Sequence, residues 1–343
     1  MQHPTYSVLI EPHGKTLGVR AGQPILGAAL DAGINLPHSC KSGHCGSCRA
    51  RLCTGEISYP HGRPPGLTAE EEAAGNVLLC QARAESSLII EARVIASVAE
   101  VEIKTLPCRI AHLHPLAPDV MQVFLRLPAV EQLKFHPGQY VDVLLDRGRR
   151  RSFSIASPPH DSELLELHIR RVTGGGFTER LFGELGVGSL LRIEGPIGQF
   201  GYREGTGPLL MVAGGTGFAP LKSMLRHVLE GGIQRDLYFY WGARGALDVY
   251  EEDLVWEWSR RYPQLRFVPV LSEQPAAKVE GEPVQRRYGW VHEAVLADFE
   301  DLGAFDTYAA GPPAMVEAIR AAFPARGAHP QRIYFDSFDY APV

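Results

Sequence analysis

The apolar positions of the chain fall into three successive rhythms. Up to about residue 96, Tyr6–Ile10 and Leu17–Arg20 read as short strands. A helix is predicted to begin near Pro24 and to stop at Gly33, because proline suits the start of a helix and glycine the position just past its end. Thr68 and Glu71 have the spacing of a capping box ahead of a short helix, and Val77–Gln81 reads as an apolar strand that carries Cys80.

After a connector around Ser97–Leu106 the pattern turns to β type: Arg109–Leu113, Val120–Leu127, Tyr140–Leu145, Leu164–Val172 and Leu190–Glu194, punctuated by Gly and Pro. The first helical period to interrupt it is Phe177–Leu185, so a small antiparallel barrel is the economical architecture. From Gly207 the rhythm becomes strand, Gly-rich turn and helix. Pro208–Ala213, Leu237–Tyr240, Arg266–Val270, Thr307–Ala309 and Arg332–Phe335 read as strands, with helical stretches such as Pro220–Leu229 between them. That alternation predicts a parallel α/β sheet. The expected organisation is a first domain over 1–96, a linker over 97–105, a second domain over 106–206 and a third over 207–343.

Composition agrees with several domains, since 343 residues exceed what one ordinary core organises. A hydrophobic fraction of 45% with a net charge of -5 describes a globular chain without the basic excess of a nucleic-acid binder. Met1–Tyr6 lacks the basic and apolar blocks of a signal peptide, and no apolar run approaches the roughly 20 residues that span a bilayer. With six cysteines and no secretory signal, the expected compartment is the reducing cytoplasm.

Four of those cysteines carry the sharpest signal. Cys40, Cys45 and Cys48 stand at C-x4-C-x2-C spacing and Cys80 follows from a distant segment, the ligand pattern of a plant-type 2Fe-2S cluster. Gly43 and Gly46 suit a loop that curls round a cluster and turns its amides towards anionic sulfur. A zinc site is the competing reading, but zinc favours paired C-x2-C knuckles or regularly spaced histidines, and His38 or His44 would join only by leaving a cysteine idle. Cys53 and Cys108 lie outside the pattern and read as small buried hydrophobes.

Further motifs point to nucleotide chemistry. Arg151-Ser-Phe-Ser154 puts a guanidinium suited to a pyrophosphate, a ring able to lie against a flavin (Phe153) and a hydroxyl on one extended segment. Taken alone, it equally describes a solvated strand with one core Phe. Gly174-Gly-Gly176-Phe177-Thr178 is a Gly turn opening a helix, where the first amides and the Thr178 hydroxyl would form an anion site; the plainer reading is a loop with a Thr N-cap. Val212-Ala-Gly214-Gly215-Thr216-Gly217-Phe-Ala-Pro220 is a strand ending in a Gly-rich turn at a helix start, again suited to a pyrophosphate, although it is not the G-x-G-x-x-G fingerprint.

The cysteine pattern makes the first segment resemble a plant-type ferredoxin domain. The R-x-F-S segment, the Gly174–Thr178 helix start and the Gly195-Pro-Ile-Gly-Gln-Phe200 turn, in that order, resemble the flavin domain of the ferredoxin-NADP reductase superfamily, with Thr178 in place of the commoner Ser. The Gly214–Gly217 turn, Trp241-Gly-Ala-Arg244, Ala310-Gly311-Pro312-Pro-Ala-Met315 and Asp336-Ser-Phe338 resemble its nicotinamide-nucleotide domain. Around Leu67–Ala82 the chain most resembles reductases of CDP-6-deoxy-hexulose-3-dehydrase and phenol hydroxylase systems. The resemblance implies an α+β ferredoxin (β-grasp) domain, an antiparallel six-stranded β-barrel for FAD and an α/β parallel-sheet nucleotide domain.

By the same resemblance, Cys40, Cys45, Cys48 and Cys80 would hold the cluster. Arg151, Phe153, Ser154, Gly176, Phe177 and Thr178 would hold FAD; Gly214, Gly215, Thr216, Gly217, Gly311 and Pro312 would hold the nicotinamide nucleotide; Phe338 would cover the flavin face, with Ser154 and Phe338 as the catalytic residues. One departure is Ala310, where the superfamily usually has a Cys beside the nicotinamide. Arg244 could meet a 2′-phosphate, but Asp248, Glu251, Glu252 and Asp253 would repel one, so NADH is expected ahead of NADPH. The implied activity is electron transfer from NAD(P)H through FAD and the cluster to a separate dehydrase or oxygenase component, without nucleic acid or membrane. The alternative is a non-catalytic 2Fe-2S redox sensor, which the missing basic stripe disfavours.

Overall fold

Val8, Ile10, Leu17 and Val19 alternate with more exposed neighbours and all turn inward. This gives two antiparallel strands, β1 (Thr5–Glu11) and β2 (Lys15–Arg20). The computed structural model describes residues 4–34, 36–38, 43, 46–92, 94, 101–273 and 286–338, in two units, residues 1–100 and 101–343. Cys40, His44, Cys45 and residues 97–100 of the connector therefore lie outside the described residues.

In the first unit, helix α1 (Ile25–Asp31) buries Ile25, Leu26, Ala28 and Ala29, with Pro24 as its N-cap. There follow β3 (Arg49–Thr54), β4 (Ile57–Ser58), α2 (Ala69–Ala73), β5 (Asn76–Leu78), β6 (Arg83–Ala84) and β7 (Leu88–Glu91). The sheet order is β2-β1-β7-β3-β5, with β1 and β7 parallel and the other neighbours antiparallel, while β4 and β6 form a separate pair. The Thr68–Glu71 capping box forms as expected. Two expectations need correction. The strand at Val77 stops at Leu78, so Cys80 sits in the following turn. Cys53 is exposed, because the β3–β7 register shifts between Leu52 and Thr54 and the extra residue is turned out.

The second unit begins with six antiparallel strands: β8 (Lys104–Ala117), β9 (Val120–Arg126), β10 (Tyr140–Leu144), β11 (Arg150–Ser154), β12 (Leu164–Arg170) and, after helix α3 (Gly176–Gly183), β13 (Leu190–Ile197). Lys104–Leu106, read as connector from sequence, are already paired in β8. The order is β11-β10-β13-β8-β9-β12, and the two edge strands approach through a single bridge, Ile155–Leu167. A closed barrel is thus not seen. The chain after that bridge runs into Pro158-Pro159, which supply no N–H to continue a ladder.

The remainder is β14 (Leu209–Gly214), α4 (Phe218–Glu230), β15 (Leu237–Ala243), α5 (Glu252–Arg261), β16 (Leu265–Leu271), β17 (Arg287–Tyr288), α6 (Val291–Asp298), β18 (Asp306–Gly311), α7 (Pro313–Ala322) and β19 (Ile333–Ser337). All six strands are parallel, in the order β17-β16-β15-β14-β18-β19. Every residue of β14 and β18 is buried, as expected of a sheet covered on both faces. From β14 the order proceeds to one side through β15, and from β18 to the other through β19, so a switch point opens between their carboxyl ends. Among the described residues no helix is long and apolar enough to cross a membrane.

Candidate cluster, flavin and nucleotide sites

In the first unit, Cys48 and Cys80 are brought together. Both are buried, and the Cys80 amide points at Cys48 Sγ from 3.4 Å. Gly43, on the way to Cys48, is pressed against the Cys80 turn: it has φ of 86°, and a Cβ there would stand 2.8 Å from Gln81 Cγ and 2.9 Å from Pro64 Cβ. Tyr59, which sequence reasoning missed, accepts the Leu78 amide at 3.0 Å and so anchors the end of β5 two residues before Cys80. Two adjacent buried sulfurs, one receiving a backbone N–H, fit an iron–sulfur cluster. His38 Nδ1 faces the Leu36 carbonyl at 2.8 Å. Cys108 is buried in a different core, where burial pushes its thiol up to about 12.

The flavin-type motifs lie on one side of the second unit. Phe153, half-buried on β11, packs against Phe177 of α3 with ring centroids 5.6 Å apart. Ser154 is buried and pairs in register with Tyr140. Arg151 is partly exposed and donates from Nη1 to the Arg150 carbonyl at 2.9 Å. Gly198 lies against the Tyr140 ring, where a Cβ would come within 2.9 Å. Helix α3 starts at Gly176 with Gly175 as its N-cap and no side chain capping it, so its first amides fit an anion. The Thr178 hydroxyl is not the cap: it accepts the Val172 amide at 3.1 Å and lies 3.1 Å from the Gly175 carbonyl. It braces the loop that presents those amides.

At the switch point the Gly214–Gly217 turn meets the end of β18. A Cβ on Gly214 would fall 2.7 Å from Met315 Sδ and Pro312 Cδ, and one on Gly311 would fall 2.9 Å from the Gly214 backbone. Ala310 is fully buried beside this contact. Trp241 supports the turn by donating from Nε1 to the Gly215 carbonyl at 3.0 Å, and stacks on Phe218 at 4.0 Å. Above lies a cleft of about 380 Å³, lined by Gly214, Gly215, Thr216, Pro312 and Phe338, by Arg244, Asp248 and Trp290, and by Arg170 of the flavin-side sheet and Asp119 of its β8–β9 turn. Its Gly-rich floor at the carboxyl ends of parallel strands fits a dinucleotide.

The four acidic residues expected to repel a 2′-phosphate do not act together. Glu251 is bound by Lys222 at 2.7 Å and Glu252 by Arg286 at 2.6 Å, and of the four only Asp248 lines the cleft, 3.8 Å from both Arg244 and Arg170.

Sequence reasoning also missed a seam of charge between the two halves of this unit. On β12, Leu165, Leu167 and Ile169 enter the core, whereas Glu166, His168 and Arg170 face the nucleotide half. Lys222 reaches Glu166 at 2.8 Å, His168 lies between Glu166 at 2.9 Å and the Tyr250 hydroxyl at 3.0 Å, and Arg170 pairs with Asp119 at 2.6 Å. Burial alone would raise the Glu166 carboxyl, but the His168 hydrogen bond and the Lys222 charge hold it well below the usual carboxylate range. The available signal was charged residues alternating with Leu and Ile in a strand.

Comparison with known proteins gives a domain family for each of the three segments. Residues 8–85 match the 2Fe-2S iron-sulfur cluster binding domain, 107–202 the oxidoreductase FAD-binding domain and 211–321 the oxidoreductase NAD-binding domain. The CDP-6-deoxy-L-threo-D-glycero-4-hexulose-3-dehydrase reductase of Yersinia pestis is 36% identical over 97% of this chain and 98% of its own. The reductase component of phenol 2-monooxygenase from Pseudomonas sp. (strain CF600) is 34% identical over 92% and 89%. The crystal structure of the Amycolatopsis cytochrome P450 reductase GcoB superposes with a TM-score of 0.75 at 34% identity, covering 98% of this chain and all of the other. With cluster, flavin and nucleotide domains in one chain and full-length relatives that are reductases, this protein belongs to the ferredoxin-NADP reductase superfamily, as an NAD(P)H-dependent iron–sulfur flavoprotein that transfers electrons to a partner.

Proposed function

We propose that this reductase serves a separate dehydrase acting on a CDP-deoxyhexulose or an oxygenase component, and that it works in the cytoplasm. Full-length similarity to a dehydrase reductase at 36% and to a phenol 2-monooxygenase reductase at 34% supports both acceptor classes. The working divisions are those read from the sequence, 1–96 for the cluster, 106–206 for FAD and 207–343 for the nucleotide, with the linker 97–105 shortened by the start of β8 at Lys104. When bound, the nicotinamide would supply a hydride, the flavin a switch from two electrons to one, and the cluster single-electron transfer.

The chain's own residues bind, orient and exclude. Cys40, Cys45, Cys48 and Cys80 hold the cluster. Arg151 and the amides from Gly176 to Thr178 bind the flavin's phosphates, Phe153 and Phe177 wall its ring, and Ser154 aims a hydroxyl at its reactive edge. The Gly214–Gly217 turn with Gly311 and Pro312 takes the dinucleotide's pyrophosphate, and Phe338 shields the face where nicotinamide and flavin meet. The observation that carries this reading is the shared cleft, which Gly214 of the parallel sheet and Pro312 at the head of α7 line together with Arg170 from the flavin-side sheet.

The test is reduction of cytochrome c and of ferricyanide by NADH with the purified holoprotein. Rapid turnover of both, with visible absorption from flavin and cluster, is expected. Slow turnover with an intact cluster would favour the redox-sensor reading. Capture of the acceptor on the reduced protein then decides between dehydrase and oxygenase.

A further inference from the structure

We propose that Lys222 is a positioning residue for the hydride step, setting how far the nucleotide turn stands from the flavin half. This rests on the flavin and nucleotide assignment above.

Lys222 lies on α4, the helix that begins directly after the Gly214–Gly217 turn. One face of that helix docks on the flavin-side sheet and the segment before it. Lys222 Nζ meets Glu166 at 2.8 Å, Ser223 Oγ donates to the Ser157 carbonyl at 2.8 Å, and Arg226 pairs with Asp161 at 2.9 Å. Positions 222, 223 and 226 share a helix face, so whatever holds this face also holds the turn at the head of the helix.

The Lys222 contact differs in kind from its neighbours. Lys222 is 4% exposed and Glu166 3%, and the ammonium also bridges to both oxygens of Glu251, at 2.7 and 2.8 Å. It therefore separates two carboxylates that would otherwise face each other out of water. Glu166 stands on β12, which continues through Arg170 in the cleft towards the Gly174–Thr178 turn. Without the ammonium, repulsion and the loss of three short contacts push α4 off β12 and widen the gap between the turns that hold the two cofactors. Nucleotide affinity is built by the Gly214–Gly217 turn and Pro312, and these stay intact. The hydride, two electrons and one proton moving from nicotinamide to flavin, is the step that feels distance, since a displacement of about 1 Å can cost about a hundredfold.

The experiment compares the full-length holoprotein with Lys222→Met, Lys222→Met/Glu166→Gln and Arg226→Ala. The double variant keeps the formal charge of the seam, because one cation and one anion leave together. Readouts are FAD content, melting temperature, NAD⁺ dissociation constant by titration, rate of flavin reduction on mixing with NADH, and the primary isotope effect with deuterated NADH. The Lys222 variants are expected to retain FAD, to bind NAD⁺ within about threefold of the parent, to be reduced about ten- to a hundredfold more slowly and to show a larger isotope effect. Arg226→Ala should stay within about twofold throughout. Reduction as fast as the parent, or a slowdown matched by an equal loss of NAD⁺ binding, overturns the proposal. If Lys222→Met fails to retain FAD, the double variant decides, and normal reduction there also overturns it. A parent protein that NADH does not reduce strikes at the flavin–nucleotide assignment itself.

Discussion

The carbonyl oxygen of Ala310 occupies the space that a Cβ on Gly217 would need. Gly217 has an ordinary helical φ of -58°, so this position requires glycine for close approach and not for conformation. Gly217→Ala must push the nucleotide turn away from β18. Overpacking of this kind costs about 1–3 kcal/mol, and the displaced amides no longer converge on one anion. We expect at least tenfold weaker NAD⁺ binding by titration, with the flavin and cluster spectra unchanged. Unaltered affinity would place the pyrophosphate elsewhere.

Changing any one of Cys40, Cys45, Cys48 or Cys80 to Ser should remove the visible absorption of the cluster and its acid-labile sulfide. Cys53→Ser should leave both intact and hardly alter stability, since the bulge turns Cys53 to solvent. Cys108→Ser should also keep the cluster but lower the melting temperature, because it places a hydroxyl in an apolar core. Zinc without sulfide in the purified protein, or a cluster retained after Cys80→Ser, would contradict the ligand set.

What could be read along the chain was what depends on nearby residues. The cysteine spacing, the Gly-rich turns and the strand periods of both sheets are local patterns, and so is the Thr68–Glu71 cap. What escaped was set by partners far away. Lys222 and Glu166 are 56 positions apart, and neither carries a local mark of its partner. Cys53 is exposed because of the register between β3 and β7, which no single strand specifies. Five of the six strands were legible from their period and β11 only as an extended motif, but a closed barrel was not formed, since closure depends on how far one bridge at Ile155–Leu167 can extend. The carboxylates at 248, 251, 252 and 253 looked alike in sequence, and Lys222 and Arg286 separate them by pairing with Glu251 and Glu252.

That separation sharpens the expectation for the nucleotide. Asp248 is the acid of that group left facing the cleft, beside an Arg244 whose side chain is 69% exposed. A 2′-phosphate there would meet repulsion of about 1–4 kcal/mol at 4 Å, between the water-like and surface limits. NADH should therefore give the higher kcat/KM, and Asp248→Asn should raise kcat/KM for NADPH several-fold while changing that for NADH little. A parent preference for NADPH that disappears in Arg244→Ala would reverse the assignment.

The seam also predicts a response to acid. The Glu166 carboxyl in the folded chain titrates below its unfolded value, which is about 4.3 for Glu. Its ionised form therefore contributes stability at neutral pH, and that contribution is lost as pH falls below about 4.3 towards the folded value. Denaturant unfolding from pH 7 to 3 should show the parent losing stability more steeply below pH 4.3 than Glu166→Gln, whose residue cannot titrate. Parallel curves for the two would mean that Glu166 is not held ionised.

The direction of electron flow can be tested by cutting the chain. Residues 101–343 form one unit that contains the flavin-type sheet, the parallel sheet and the cleft they share, and the cysteines of the cluster pattern all lie before it. A fragment beginning at Val101 should therefore fold, bind FAD and oxidise NADH with ferricyanide, a small acceptor that reaches the flavin directly, at a rate within a few-fold of the whole protein. Cytochrome c and the natural partner need electrons one at a time from a docked donor. With plant-type clusters near about -400 mV, that transfer runs from cluster to acceptor and draws the flavin's electrons after it. Cytochrome c reduction by the fragment should fall at least tenfold. Adding the separate residues 1–100 should restore it only in part, because covalent linkage supplies an effective concentration in the millimolar range. If the fragment reduces cytochrome c as fast as the whole chain, the cluster is not the main exit, and a sensing role for residues 1–100 becomes the better account.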